Sequence, residues 1–248
     1  MECCNFYSYY LEKWSIDASG KIENMDEPHF YSKNLLGALF SDEEKKLLGD
    51  FEIALRKGTR KDLEMLWEYD KSLGGLGGYA MPSNPVNNPF NTWGEERNVF
   101  RSVQYAKFDL LITGVARARH TVFASGESLE LTGKYLLDKR SVISRHKNNM
   151  MYGRIYEKLF NKNMIDSDSY RLCMVFGKLY NVSKHNISEE HDRTFVPADS
   201  IIAYFSLRKL HNNLLATVGH PSLQKSYEIY QDSKDDYQLY ANGNHEMV

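Results

Sequence analysis

Hydrophobic positions along this chain recur mostly at three- and four-residue intervals, the spacing of one helix face. The clearest case opens at Ser41. Behind it, Leu47, Leu48, Phe51 and Leu55 fall on one face. Glu44 follows Ser41 by three residues, which is the capping-box pattern. Asp42, Glu43 and Glu44 load the first turn with negative charge, which suits the positive end of the helix dipole. Gly58 is expected to end this helix. A second run then starts with Thr59 as its N-cap and carries Leu63, Leu66 and Trp67 together. Two antiparallel helices or one kinked helix satisfy this pattern equally.

Further on, Phe100, Val103, Leu110, Leu111, Gly114, Val115, Ala118 and Val122 form a long apolar stripe. It predicts one helix of about 25 residues, interrupted at Gly126. The stretch that follows reads as one or two helices, with Leu136, Leu137, Met150, Met151, Ile155 and Leu159 as candidate core. Ser167 or Asp168 is expected to cap the next helix, which would bury Leu172, Val175, Phe176 and Leu179. Pro197 suits the first position of the last helix, where its missing N–H costs nothing. Asp199 adds charge to that first turn. Ile201, Ile202, Phe205, Leu210, Leu214 and Val218 line the helix, and Gly219-His220-Pro221 is expected to stop it.

These elements predict an all-α fold, an antiparallel helical bundle with an N-terminal helical extension. The expected boundaries are 1–75 for the extension, 76–94 for a Gly/Pro-rich loop, 95–222 for the bundle and 223–248 for a polar tail. The loop holds three Pro before Trp93 and lacks the Gly-Lys-Ser/Thr of a phosphate loop. It reads as a linker. No internal repeat is present.

Composition adds limits. At 248 residues, 42% hydrophobic and 26% charged, the chain can bury a core. Its net charge of −2 gives no bulk attraction to nucleic acid. The 17 Tyr and 12 Phe are expected mainly as core, with some rings half exposed at interfaces. Cys3, Cys4 and Cys173 form neither a disulfide framework nor a zinc spacing. No metal site and no cofactor are expected. The N-terminus lacks a signal-peptide pattern and no apolar run is long enough to span a membrane, so a cytoplasmic location is expected.

Four stretches offer chemistry. The first is "LYNVSKHNIS", Leu179 to Ser188, where polar and basic side chains follow an apolar helix. Asn181 and His185 are separated by Val182, Ser183 and Lys184. This resembles the Arg-Asn-x-x-x-His signature of HEPN-family domains, helical bundles found in bacterial toxins and phage-defence proteins. The resemblance implies metal-independent RNA cleavage by the Arg and His of two protomers. Tyr180 stands in the Arg place. A phenol can donate a hydrogen bond but cannot supply the permanent charge a phosphorane oxyanion calls for. A degenerate, non-catalytic copy is therefore the better reading within that family. The plainer alternative is that Asn181 and His185 finish a helix by meeting its last carbonyls and its dipole.

The second stretch is "KRSVISRHKNN", in which Arg140 and His146 match the looser Arg-His spacing of active HEPN members. Six residues on a helix turn through about 600°, so the two converge only if the helix ends between them. The same region is basic. From Lys134 to Lys162 there are eight Lys or Arg against Asp138 and Glu157. Lys139, Arg140, Arg145, Lys147 and Arg154 are the candidate nucleic-acid contacts, with Tyr152 and Tyr156 interleaved. An acidic protein partner or a merely solvated face fits equally well. The third stretch, "GVARARH", places Arg117, Arg119 and His120 at the expected C-terminal end of the long helix, where cations are favourable. The fourth, Glu189, Glu190, His191 and Asp192, holds metal-capable types, but neighbours in a loop do not form a coordination sphere unaided.

The functional expectation is a non-catalytic interaction subunit of a bacterial phage-defence or toxin-type complex. It would bind a larger protein through Tyr-rich and basic surfaces, with nucleic acid as a further contact. The alternative is a metal-independent RNase acting as a homodimer. In that reading His185 or His146 is the acid/base, Arg140 or Lys184 stabilises charge, and Asn181 orients the His.

Overall fold

The computed structural model describes residues 27–57, 66, 68–70, 72–73, 96–113, 117–137, 150–185 and 195–217. Among these residues the regular structure is all helical, with no strand. The helices are α1 (Phe30–Leu39), α2 (Asp42–Lys57), α3 (Glu96–Thr113), α4 (Ala118–Leu137), α5 (Tyr152–Asn161), α6 (Ser167–Lys184) and α7 (Pro197–Thr217). Leu66 and residues 68–70 are helical too. The Gly/Pro-rich loop and the polar tail lie outside the described residues.

Several helix starts follow their sequence signals. Ser41 and Glu44 form the reciprocal capping box: the Ser41 N–H donates to Glu44 Oε2 (2.9 Å) and the Glu44 N–H to Ser41 Oγ (3.3 Å). Pro197 opens α7, and Asp199 reaches back to accept the Val196 N–H at 2.9 Å. At α6 the cap is Asp166, not Ser167 or Asp168. Its carboxylate accepts the Ser169 N–H at 2.6 Å. That hydrogen bond draws the Asp166 carboxyl below its usual range.

α7 is the hub of the bundle. α1, α2, α3, α4 and α6 all pack on it. Every residue from Pro197 to Arg208 is buried, including Asp199, Ser200, Ser206 and Arg208. A helix covered on all sides loses its apolar stripe as a distinguishing feature. The N-terminal helices cover one side. α1 runs parallel to α7, with the His29 N–H donating to Asp199 (2.7 Å) and Lys209 Nζ to the Leu39 carbonyl (2.8 Å). α2 runs antiparallel to it, joined by Lys209–Glu44 (2.7 Å) and by the Phe51–Phe205 ring contact.

Asp70 ties this side together from within. Its carboxylate accepts Arg208 Nε (2.7 Å), the Tyr204 hydroxyl (2.8 Å) and Lys107 Nζ (3.0 Å), while Arg208 also donates to the Asp70 carbonyl (2.9 Å). Burial pushes the Asp70 carboxyl up, but the charges of Lys107 and Arg208 outweigh it and hold it below the usual range.

The other side of α7 packs on α4. The stripe expected as one long helix is instead divided between α3 and α4, with the new helix under way at Ala118. Gly126 does not interrupt. It lies inside α4, together with Gly133, on a buried face that also carries Thr121, Ser125, Ser128 and Thr132. Thr132 Oγ1 meets His211 Nδ1 of α7 at 3.2 Å, and Ser102 of α3 donates to Ser128 at 2.8 Å.

α5 and α6 form an antiparallel hairpin. Asn163, with a φ of 55°, closes α5 in a Schellman turn: its N–H bonds the Phe160 carbonyl and the Met164 N–H bonds that of Leu159. Leu136, Ile155 and Leu159 are core, as expected. Met151 is not. It caps α5 from outside and is 72% exposed.

Candidate functional site

The C-terminal end of α6 carries the HEPN-like residues. Tyr180 is 1% exposed, and its ring lies on the backbone of α4 at Gly126. A Cβ at Gly126 would sit 2.7 Å from Tyr180 Cβ and inside the ring beyond it. The same device recurs nearby. Tyr152 packs on Gly177, where a Cβ would meet its ring at 2.7 Å. Ile155 and Tyr156 pack on Gly133. Three glycines thus make room for four side chains and let α4, α5 and α6 close up.

Tyr180 is consequently a core residue. Burial, followed by the nearby Glu130 and Glu127 carboxylates, pushes its phenol up, so it stays neutral. Tyr152 and Tyr156 are pushed up in the same direction, mainly by burial, and Tyr156 donates to the Leu129 carbonyl at 2.8 Å.

The remaining motif residues also have structural partners. Lys184 Nζ lies 3.9 Å above the Tyr180 ring and 3.2 Å from Glu130 Oε2. Lys134 binds the other oxygen of Glu130 at 2.7 Å. Burial raises the Glu130 carboxyl, and the two lysines more than reverse this, so it is held below its usual range. Ser183 Oγ donates to the Tyr180 carbonyl at 2.7 Å. His185 is the C-cap of α6, and its backbone N–H donates to the Asn181 carbonyl at 3.1 Å. The side chains of Asn181 and His185 are exposed.

The "GVARARH" stretch is placed differently from its expectation. Arg119 and His120 lie in the first turn of α4, not the last turn of a preceding helix. Cations are unfavourable at that end of their own helix. The reason lies in α6. Arg119 Nε donates to the Ser183 carbonyl at 2.6 Å, so the cation meets the negative end of a different dipole. The fold thereby brings the first and third candidate stretches together. This was not legible from spacing, because 64 residues separate the partners.

Arg154 is exposed on α5, in a 3.2 Å pair with Glu157. Lys139, Arg140, Arg145, His146 and Lys147 lie outside the described residues, as do Glu189, Glu190, His191 and Asp192. Among the described residues no group of three His, Cys, Asp or Glu side chains is arranged to hold a metal. No described helix is long and apolar enough to cross a membrane. The Asp70–Arg208 cluster was missed at the sequence level. A lone Asp in "WEYDKSL" carries no signal that it faces an Arg 138 residues later.

No family model, curated protein or solved structure matches the chain.

Proposed function

We propose that this protein is a non-catalytic helical interaction subunit that works within a larger protein complex. One observation supports the non-catalytic reading above others. The residue in the Arg place of the HEPN-like motif, Tyr180, is neutral and locked against Gly126 in the core. Lys184, the substitute cation within the motif, is engaged by Glu130 and the Tyr180 ring. Asn181 and His185 remain at the surface as the end of a helix.

The assignment to a bacterial phage-defence or toxin-type complex rests on the HEPN resemblance. A cytoplasmic location is part of the proposal and accords with Cys173 as a buried free thiol. Exposed rings at Phe30 and Tyr105 offer apolar contacts for a partner.

A second reading, the metal-independent RNase dimer, is favoured by Arg119. It brings a permanent positive charge to the end of α6, bound two residues before His185.

Purification of the tagged chain from its native host, with native mass spectrometry of the complex, tests the first reading. A stoichiometric larger partner is expected. A monodisperse chain with no partner counts against it. A homodimer that cleaves RNA, with cleavage lost in His185→Ala, replaces it with the second.

A further inference from the structure

α1 lies in the groove between α6 and α7. Ser32 and Leu35 are its buried residues, while Tyr31, Leu36 and Leu39 are part-buried. Two side chains of α7 hold its ends through main-chain groups. Asp199 accepts the His29 N–H at 2.7 Å, and Lys209 donates to the Leu39 carbonyl at 2.8 Å. Lys209 follows Asp199 by ten residues, and Leu39 follows His29 by the same interval, about 15 Å of helix in each case. The carboxylate stands at the N-terminal end of α1 and the ammonium at its C-terminal end, each matched to the helix dipole. The groove thus reads both the length and the direction of the helix that fills it.

Neither clamp depends on α1 for its charge balance. Asp199 also accepts the Val196 N–H at 2.9 Å, and Lys209 also pairs with Glu44 at 2.7 Å. Release of α1 therefore strands no buried charge. Between the clamps the seam is dry. Ser32 Oγ of α1, and Ser206 Oγ on the face of α7 that carries Asp199 and Lys209, are buried with no hydrogen-bond partner among the described residues. Water satisfies both hydroxyls once the seam opens. α1 is also a weak helix by itself. Its first turn holds no acid and its last turn no base, and Gly37 lies within it, beside open space. Its N-cap bond, from the Tyr31 N–H to His29 Nδ1, is 3.3 Å long. The hinge is fixed by contrast. Phe40 is 5% exposed with Lys209 Nζ 4.7 Å from its ring centroid, and the Ser41–Glu44 capping box follows directly.

We propose that the α6–α7 groove is a helix-binding site and that α1 is its releasable ligand. α1 swings out on Phe40 as a unit while the bundle stays folded. The vacated groove then takes back its own α1 or accepts α1 of a second copy of the chain, which presents the same length, direction and Leu35 anchor. This inference does not depend on the chain being a subunit, because it uses none of the HEPN-like residues at the end of α6.

Two measurements on the full chain test it. In native-state hydrogen exchange, the amides of Phe30–Leu39 should exchange at least about tenfold faster than those of α4 and α7, through an opening that low denaturant hardly changes. The second measurement uses a labelled peptide of residues 27–41 and a full-length Leu35→Asp variant, whose own α1 no longer fills the groove. The variant should keep the helical circular dichroism of the bundle and bind the peptide saturably. The native chain, in which α1 competes, should bind the peptide at least about tenfold more weakly, and the same peptide carrying Leu35→Asp should not bind. Exchange of α1 only through global unfolding overturns the proposal. A Leu35→Asp variant that fails to fold does so too, since it would make α1 an integral part of the core. So does a folded variant that leaves the peptide unbound, or equal binding by native chain and variant, which would place the peptide elsewhere.

Discussion

Gly126 and Tyr180 occupy each other's space: the ring of Tyr180 fills the position that a side chain on Gly126 would take. The two lie on different helices, and each explains the other. A glycine inside a helix costs about 1 kcal/mol relative to alanine in propensity. Here close packing of a buried ring against the α4 backbone offsets that cost. Gly126→Ala should therefore destabilise the protein by about 1–3 kcal/mol despite its better propensity, because the clash falls on the Cβ and ring base of Tyr180 and not on a flexible tip. Denaturant unfolding checks this. A double mutant with Tyr180→Ala should show non-additivity of at least about 0.5 kcal/mol.

Tyr180→Arg restores the HEPN-like signature on paper. It should not create an RNase. A guanidinium in the place of a 1%-exposed ring would be held against the α4 backbone, beside a Glu130 already engaged by Lys134 and Lys184, and the expected result is loss of several kcal/mol of stability. A folded Tyr180→Arg variant that cleaves RNA would overturn this expectation.

The Asp70 cluster should contribute to acid sensitivity of the fold. Asp70 titrates below its unfolded value, so its contribution is fully present above about pH 4 and is lost as the pH falls further through its folded value. Asp70→Asn should destabilise the protein at neutral pH by about 3–5 kcal/mol, because Arg208 and Lys107 then keep buried charges without their counter-ion. The variant should also show a flatter loss of stability below pH 4. Urea unfolding at a series of pH values reads both effects.

At the other end of α7, Asp199 binds both the Val196 N–H and the His29 N–H. Asp199→Ala should cost about 1–2 kcal/mol and should weaken α1 more than the rest of the bundle. Amide hydrogen exchange in Phe30–Leu39 should accelerate, while exchange in α4 should follow only the global loss.

Arg119 and His185 separate structure from chemistry at the end of α6. Arg119→Ala removes a hydrogen bond from a charged donor to the Ser183 carbonyl and should cost about 1.5–3 kcal/mol. His185→Ala should change stability by no more than about 0.5 kcal/mol, since its backbone N–H does the capping and its side chain is exposed. Thermal unfolding of the two variants distinguishes these outcomes.

Sequence by itself determined the class of the fold and much of its local detail. Helical spacing, the Ser41–Glu44 box, Pro197 and Asp199 are local signals. They act through a helix's own first turn, so their partners are a few residues away and can be read in order. Only the tertiary structure decided what the punctuating residues mean. Gly126 read as a break and became a seat for Tyr180. Arg119 read as the end of one helix and became the cap of another. Asp70 read as nothing and became the centre of a buried charge cluster. Asp199, Ser200, Ser206 and Arg208 of α7, polar by type, became buried along with the apolar residues from Pro197 to Arg208. Each of these depends on a neighbour tens to more than a hundred residues away. Sterics and electrostatics act through space, and spacing along the chain carries no record of which distant surfaces will meet.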